Sequence, residues 1–179
     1  MVFSLFRRDP RRDAIAALYE RVATASRAPG LYSGLGIPDT LEGRFEALCL
    51  HVILALRALR QLPDPAPEVA KDLADAVFRD LDASLREMGV GDTVVPKRMK
   101  KLASAFYGRA HAYDAPLDAG DEAALAVALG RNVKGTDEPA RTLARYVIVA
   151  DHRIRQADLD AILAHGFDFP ATDPFMETP

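Results

Sequence analysis

The chain of 179 residues has one cysteine, Cys49, inside an apolar run, so it can form no intramolecular disulfide and offers no thiolate zinc cluster. A reducing cytoplasm is the expected compartment, and a chain of this length buries roughly 70% of its unfolded surface without a covalent staple. Charge of one sign is also scarce: 23 Lys and Arg stand against 26 Asp and Glu, a formal net charge of -3. So weak a field favours neither nucleic acid nor an acidic substrate, and any such binding must come from a local patch. Long apolar stretches are missing too. Residues 47–56, the longest, are broken by His51 and flanked by Arg44, Glu46 and Arg57, whereas a bilayer span takes about 20 apolar residues. Internal repeats and low-complexity blocks are absent.

Catalytic signatures are equally sparse. The glycine segment Gly30, Gly34, Gly36 has no lysine and follows no strand, so it lacks what a phosphate-binding loop requires. No Gly-x-Ser-x-Gly elbow and no His-Glu-x-x-His pair occurs. His51, His111, His152 and His165 fall in separate segments, which favours ordinary core or surface histidines over a metal site. No cofactor is expected, and the chain does not read as an enzyme.

What is present is helical periodicity, cut into helix-length pieces by Pro and Gly clusters. A first helix is expected over residues 10–26, with Asp9 as cap, Pro10 at its first position and Ile15, Leu18, Tyr19 and Val22 inward. Residues 28–39 read as a loop. Asp39 and Glu42 form a capping-box pair opening a helix to about residue 62. Leu41, Phe45, Leu48, Val52, Leu56 and Leu59 share one face of it, while Leu50 and Leu54 point elsewhere, so it should be the central helix of the domain. The proline-rich turn 63–67 starts a helix over 68–88, with a stripe running from Val69 to Met88 and a stop at Gly89. Further helices are expected over about 96–114, 121–131, 138–155 and 157–164. The prediction is an all-α, single-domain bundle of about six to seven helices around a central apolar helix. Residues 1–12 would be an apolar and basic arm, 13–165 the helical domain, and 166–179 an extended tail carrying Phe167, Phe169 and Phe175.

Three local features invite a role. Asp80 falls at the margin of its helix's buried stripe, where an unpaired carboxylate would cost several kcal/mol. It is expected to pair with Arg98 or Arg109 on the next helix, the sharper alternative being a recognition carboxylate in a groove. The cluster Lys97, Arg98, Lys100, Lys101 has no aromatic residues interleaved on its face, which argues against specific nucleic-acid binding. It is either a solvated helix face or a docking patch for an acidic protein, phospholipid or ribosomal phosphate. The amino-terminal run of Phe3, Leu5, Phe6, Arg7, Arg8, Arg11 and Arg12 is expected to touch an anionic membrane, each basic residue contributing about 1 kcal/mol.

Residues 78–117 carry a longer pattern: Phe78, Arg79, Asp80 and Asp82; Leu85, Arg86 and Glu87; Gly89, Gly91 and Asp92; Pro96, Lys97, Lys100 and Lys101; Phe106, Tyr107, Gly108 and Arg109; then Tyr113. With His51 and Arg57 before it and residues 129–133 after it, this pattern resembles the ubiquinol-cytochrome c chaperone family. The resemblance implies a non-catalytic assembly factor that binds newly made cytochrome b and helps it enter the cytochrome bc1 complex. Mitochondrial members act with a small partner at the ribosomal tunnel exit and carry a long targeting extension. This chain resembles the short bacterial form, expected in the cytoplasm and peripheral to the inner membrane, with the second partner and the ribosome contact left open.

The client is expected to dock along the loop residues Leu31, Tyr32, Leu35 and Ile37 and along Val94, Val95, Lys97, Lys100 and Lys101. The alternative for the loop is that it caps the domain's own core. A rival reading of the whole chain is a helical enzyme or small-molecule carrier with Asp80, His111 and Tyr113 converging on a pocket.

Overall fold

The computed structural model describes residues 10–175, and among these are eight α-helices and no strand. They are α1 (Pro10–Ala25), α2 (Pro29–Ser33), α3 (Leu41–Arg60), α4 (Ala66–Glu87), α5 (Val95–Ala119), α6 (Glu122–Leu129), α7 (Arg141–Ile154) and α8 (Leu159–His165). A π-helical turn, Gly130–Lys134, extends α6, and a short 3-10 turn, Asp173–Phe175, ends the described tail. The expected all-α bundle is the fold. The expected membrane-contact residues Phe3, Phe6, Arg7 and Arg8 lie outside the described residues.

The apolar helix α3 is central, as its composition demands: it packs on α1, α4, α5 and α7. Every residue from Cys49 to Leu59 is buried. Its first two turns are covered less well, and Leu41, expected inward, is 64% exposed. The cap of α3 is Thr40 rather than Asp39: the Thr40 hydroxyl accepts the Gly43 N–H at 3.1 Å, while Asp39 takes the Arg44 guanidinium at 2.8 Å. A hydroxyl one residue nearer the helix satisfies the orphan donor, which frees the carboxylate for an ion pair. Gly89 ends α4 with φ +78°, a left-handed stop that suits glycine.

Two other boundaries differ from expectation. The loop 28–39 contains the single-turn α2, whose Gly30 lies so close to Thr172 of the tail that a Cβ there would sit 1.9 Å from the Thr172 hydroxyl oxygen. Helix α5 runs past Pro116 to Ala119 although proline removes a helical donor. Its last turn is held by Leu117, which is buried, and by Asp114 and Asp118, which both reach Arg57.

Arg57 ties three helices together. From α3 it donates to Asp114 and Asp118 of α5, at 2.6 and 2.8 Å, and to the buried Asp151 of α7 at 3.2 Å. Arg155 adds a second cation to Asp151 at 3.0 Å.

His51 organises the side facing the tail. Its Nδ1 lies 2.8 Å from the Ala47 carbonyl oxygen and its Nε2 3.0 Å from the Tyr146 hydroxyl. A carbonyl only accepts, so Nδ1 carries the proton and Nε2 accepts from Tyr146. Phe169 covers the imidazole with ring centres 4.8 Å apart, and Phe175 meets Tyr146 edge-on at 5.6 Å. The tail is thus an extended strap seated by aromatic rings.

Two outcomes follow from these buried groups. Arg57→Ala should lower the stability measured by urea unfolding by about 3 kcal/mol, since it leaves Asp151 buried with only Arg155. Asp118→Ala removes a solvent-facing partner and should lower stability far less than Arg57→Ala in the same measurement. Full burial lowers the His51 pKa from 6.5 to about 4 despite its bond to Ala47. Below pH 6.5 the unfolded chain therefore binds a proton that the folded chain refuses, and stability is lost as pH falls toward 4. Between pH 7 and pH 4.5 this residue should account for a loss on the order of 2 kcal/mol, measured as the difference in pH dependence between wild type and His51→Gln.

Candidate functional site: an apolar groove beside the central helix

The part of α3 that its neighbours leave uncovered forms one wall of a groove. Leu41, Phe45 and Leu48 line it from α3; Leu81, Leu85 and, just beyond the end of α4, Met88 line the opposite wall; Leu102 of α5 completes the apolar surface. The cavity measures about 560 Å³ and opens to solvent. Met88 is 54% exposed at its edge, as Leu41 is on the other side. An exposed apolar patch of this kind on a soluble surface usually marks a contact site. A larger hollow of about 1150 Å³ lies between α1, α4 and α5, but its walls carry Arg11, Arg12, Asp72, Asp75, Arg79 and Asp82. Arg11 is held there by Glu68 and Asp72 at 3.1 and 2.6 Å, and Ile15, Phe78 and Met99 are interspersed with these charges, so that hollow has no continuous apolar wall.

Polar groups stand at fixed places in the apolar groove. Glu46, at 8% exposure, projects from α3 and receives both forks of the Arg109 guanidinium from α5. Arg109 also donates to the Ala105 carbonyl at 3.0 Å. The bidentate bond to Glu46 raises the Arg109 pKa against the cost of burial, so the guanidinium stays charged. Behind it, Tyr113 is buried with no hydrogen-bond partner for its hydroxyl among the described residues. Burial, reinforced by Glu46, pushes the Tyr113 phenol up and keeps it neutral. Cys49 is pushed up likewise, by burial first, and is an unreactive thiol.

Asp80 does not pair with Arg98 or Arg109. Its Oδ2 accepts a hydrogen bond of 2.6 Å from the Tyr19 hydroxyl, which fixes α4 against α1 rather than α5. Arg109 is taken by Glu46, and Arg98 stands in solvent. Burial, with the Asp80 bond second, raises the Tyr19 pKa, so the phenol keeps its proton and donates it. The carboxylate itself lines the groove, on its exposed side.

The structure also redistributes the expected docking residues. Leu31, Leu35 and Ile37 are at most 1% exposed and belong to the core, because the loop closes over it where α2 meets Thr172, and Val95, at the start of α5, is fully buried as well. In this conformation they offer no surface to a client. Tyr32 is half-buried, its hydroxyl donating to the Ser26 carbonyl at 2.7 Å. Val94, Lys97, Lys100 and Lys101 are exposed, and the three lysines form no ion pair among the described residues. Of α5 it is Leu102 and Arg109 that line the groove, and the three lysines are not part of that lining. Asp80, His111 and Tyr113 do not converge: only Asp80 lines the groove, His111 faces solvent and Tyr113 is sealed in the core.

A family model described as ubiquinol-cytochrome C chaperone matches residues 33–169. The chain belongs to this family. The crystal structure of the Cbp3 homolog from Brucella abortus is similar over 97% of this chain and 98% of that one, at 39% sequence identity and a TM-score of 0.82. No curated protein matches the chain. The family match spans the groove walls from α3 to α5, while Tyr19, Ser26 and Arg27 of the lining precede it.

Some of the site was missed from sequence and some was signalled. Leu41 and Met88 continue the apolar stripes of their helices, and periodicity carries no mark of where a neighbouring helix stops covering a stripe. Glu46 was the available signal: a carboxylate set within a helix otherwise apolar on nearly every face must face a cation or an opening.

Proposed function

We propose that this protein is a non-catalytic chaperone for assembly of the cytochrome bc1 complex, and that it holds an apolar segment of newly made cytochrome b in the groove between α3, α4 and α5. The observation that carries this reading is the open apolar groove in a member of a chaperone family. A membrane-protein segment waiting to be assembled must hide apolar side chains from water. Each large one buried in the groove contributes about 1.5–3 kcal/mol before ordering costs. A handful of such contacts gives a hold that is firm enough to prevent aggregation and weak enough to release. In this reading the protein works in the cytoplasm, peripheral to the inner membrane, and Lys97, Lys100 and Lys101 orient it toward anionic surface more than they add affinity.

Photo-crosslinking amino acids at Leu41 and Met88, on the two lips of the groove, should capture cytochrome b while it is being synthesised in cells. A probe at Asp75, on the charged side of α4, should not. Capture at Asp75 or Tyr32 with none at Leu41 and Met88 would place the client elsewhere, and capture of no cytochrome b from any position would remove it as the client.

A further inference from the structure

The charged side chains of the groove are not all neutralised by one another. Arg109 and Glu46 satisfy each other, and Arg44 is taken by Asp39, which leaves Asp80 and Glu42 against a single cation, Arg27 at the mouth. Asp80 stands on the exposed side of the groove, where Leu81, Ser84 and Leu85 of the same helix also line it. Its orientation is set: Tyr19, itself only 6% exposed, donates to Oδ2 and holds the carboxylate on the groove wall. No cation of the described residues pairs with it, and Oδ1 accepts no hydrogen bond from them. A carboxylate positioned by a buried donor, with its second oxygen unpartnered among the described residues and the side chain on the exposed side of an apolar groove, has the geometry of a recognition group rather than of a structural ion pair.

We propose that Asp80 reads a cationic side chain in the occupant of the groove, so that the preferred client segment is an apolar helix carrying one lysine or arginine. This rests on the reading of the groove as a client site. The apolar walls supply affinity without regard to sequence, while the carboxylate supplies discrimination, because a cation laid against the apolar side chains alone would go unpaired. A long basic side chain suits the place: its methylene stem lies along Leu81 and Leu85 while its head reaches Oδ1. An acidic residue at the same position of the client would face Asp80 and Glu42 together and be rejected.

The test uses the full chain and three fluorescent synthetic peptides, leucine–alanine helices of about 18 residues that differ only in a central Lys, norleucine or Glu. Wild-type protein should bind the Lys peptide about tenfold more tightly than the norleucine peptide, and the Glu peptide more weakly than either. Asp80→Asn retains an acceptor for the Tyr19 hydroxyl, so it should keep the fold, by circular dichroism, and bind the Lys and norleucine peptides equally. Asp80→Lys should reverse the order and favour the Glu peptide. Equal binding of Lys and norleucine peptides to wild type, or a Lys preference that survives in Asp80→Asn, overturns the role of Asp80 while leaving the groove as an apolar site. Failure of all three peptides to bind wild type overturns the groove reading along with it.

Discussion

A helix that is apolar on every face has to be wrapped, and most of this structure can be read as the wrapping of α3. From Cys49 to Leu59 the demand is met in full by α1, α4, α5 and α7. Over Leu41 to Leu48 it is not, and Leu41, Phe45 and Leu48 keep part of their surface in the groove. The exposed apolar surface is therefore an unfinished section of the core, continuous with it, and its walls are as rigid as the helices that bear them. A surface of that kind can accept an apolar segment with little rearrangement, which keeps the ordering cost of binding low.

The two halves of α3 also differ in how they handle charge. In the wrapped half, Arg57 is surrounded by Asp114, Asp118 and Asp151, and the cluster pins α3 to α5 and α7. In the open half, the Glu46–Arg109 pair joins α3 to α5 at the groove and closes its own charges, leaving Asp80 available. Burying ionic groups rarely adds much net stability, but removing one partner is costly, so such pairs fix which helix faces which. That is the service they give here: they hold the groove walls in register.

Much of the fold was legible in the sequence, because its helices are long, periodic and separated by proline and glycine. The central position of α3 follows from its composition, and the Gly89 stop follows from local chemistry. The corrections come from tertiary context. Pro116 stays helical because Asp114 and Asp118 are anchored on Arg57, a contact about sixty residues away in sequence. Leu31, Leu35 and Ile37 sit among glycines and read as a docking loop or as a cap on the core; Gly30 lets Thr172 approach closely, and the segment closes the core. Asp80 was recognised as a carboxylate that needs a partner, but a tyrosine hydroxyl, which periodicity counts as core, met that need.

The central claim is that the client meets the uncovered half of α3 and not the loop that closes over the core. Methyl-resolved NMR of the protein, titrated with a membrane-spanning segment of cytochrome b in mild detergent, examines both surfaces in one sample. Shifts concentrated at Leu48, Leu81, Leu85, Met88 and Leu102, with Leu31, Leu35, Ile37 and Val95 unmoved, are the expected result. Shifts confined to Leu31, Leu35, Ile37 and Val95, with the groove methyls silent, would contradict it.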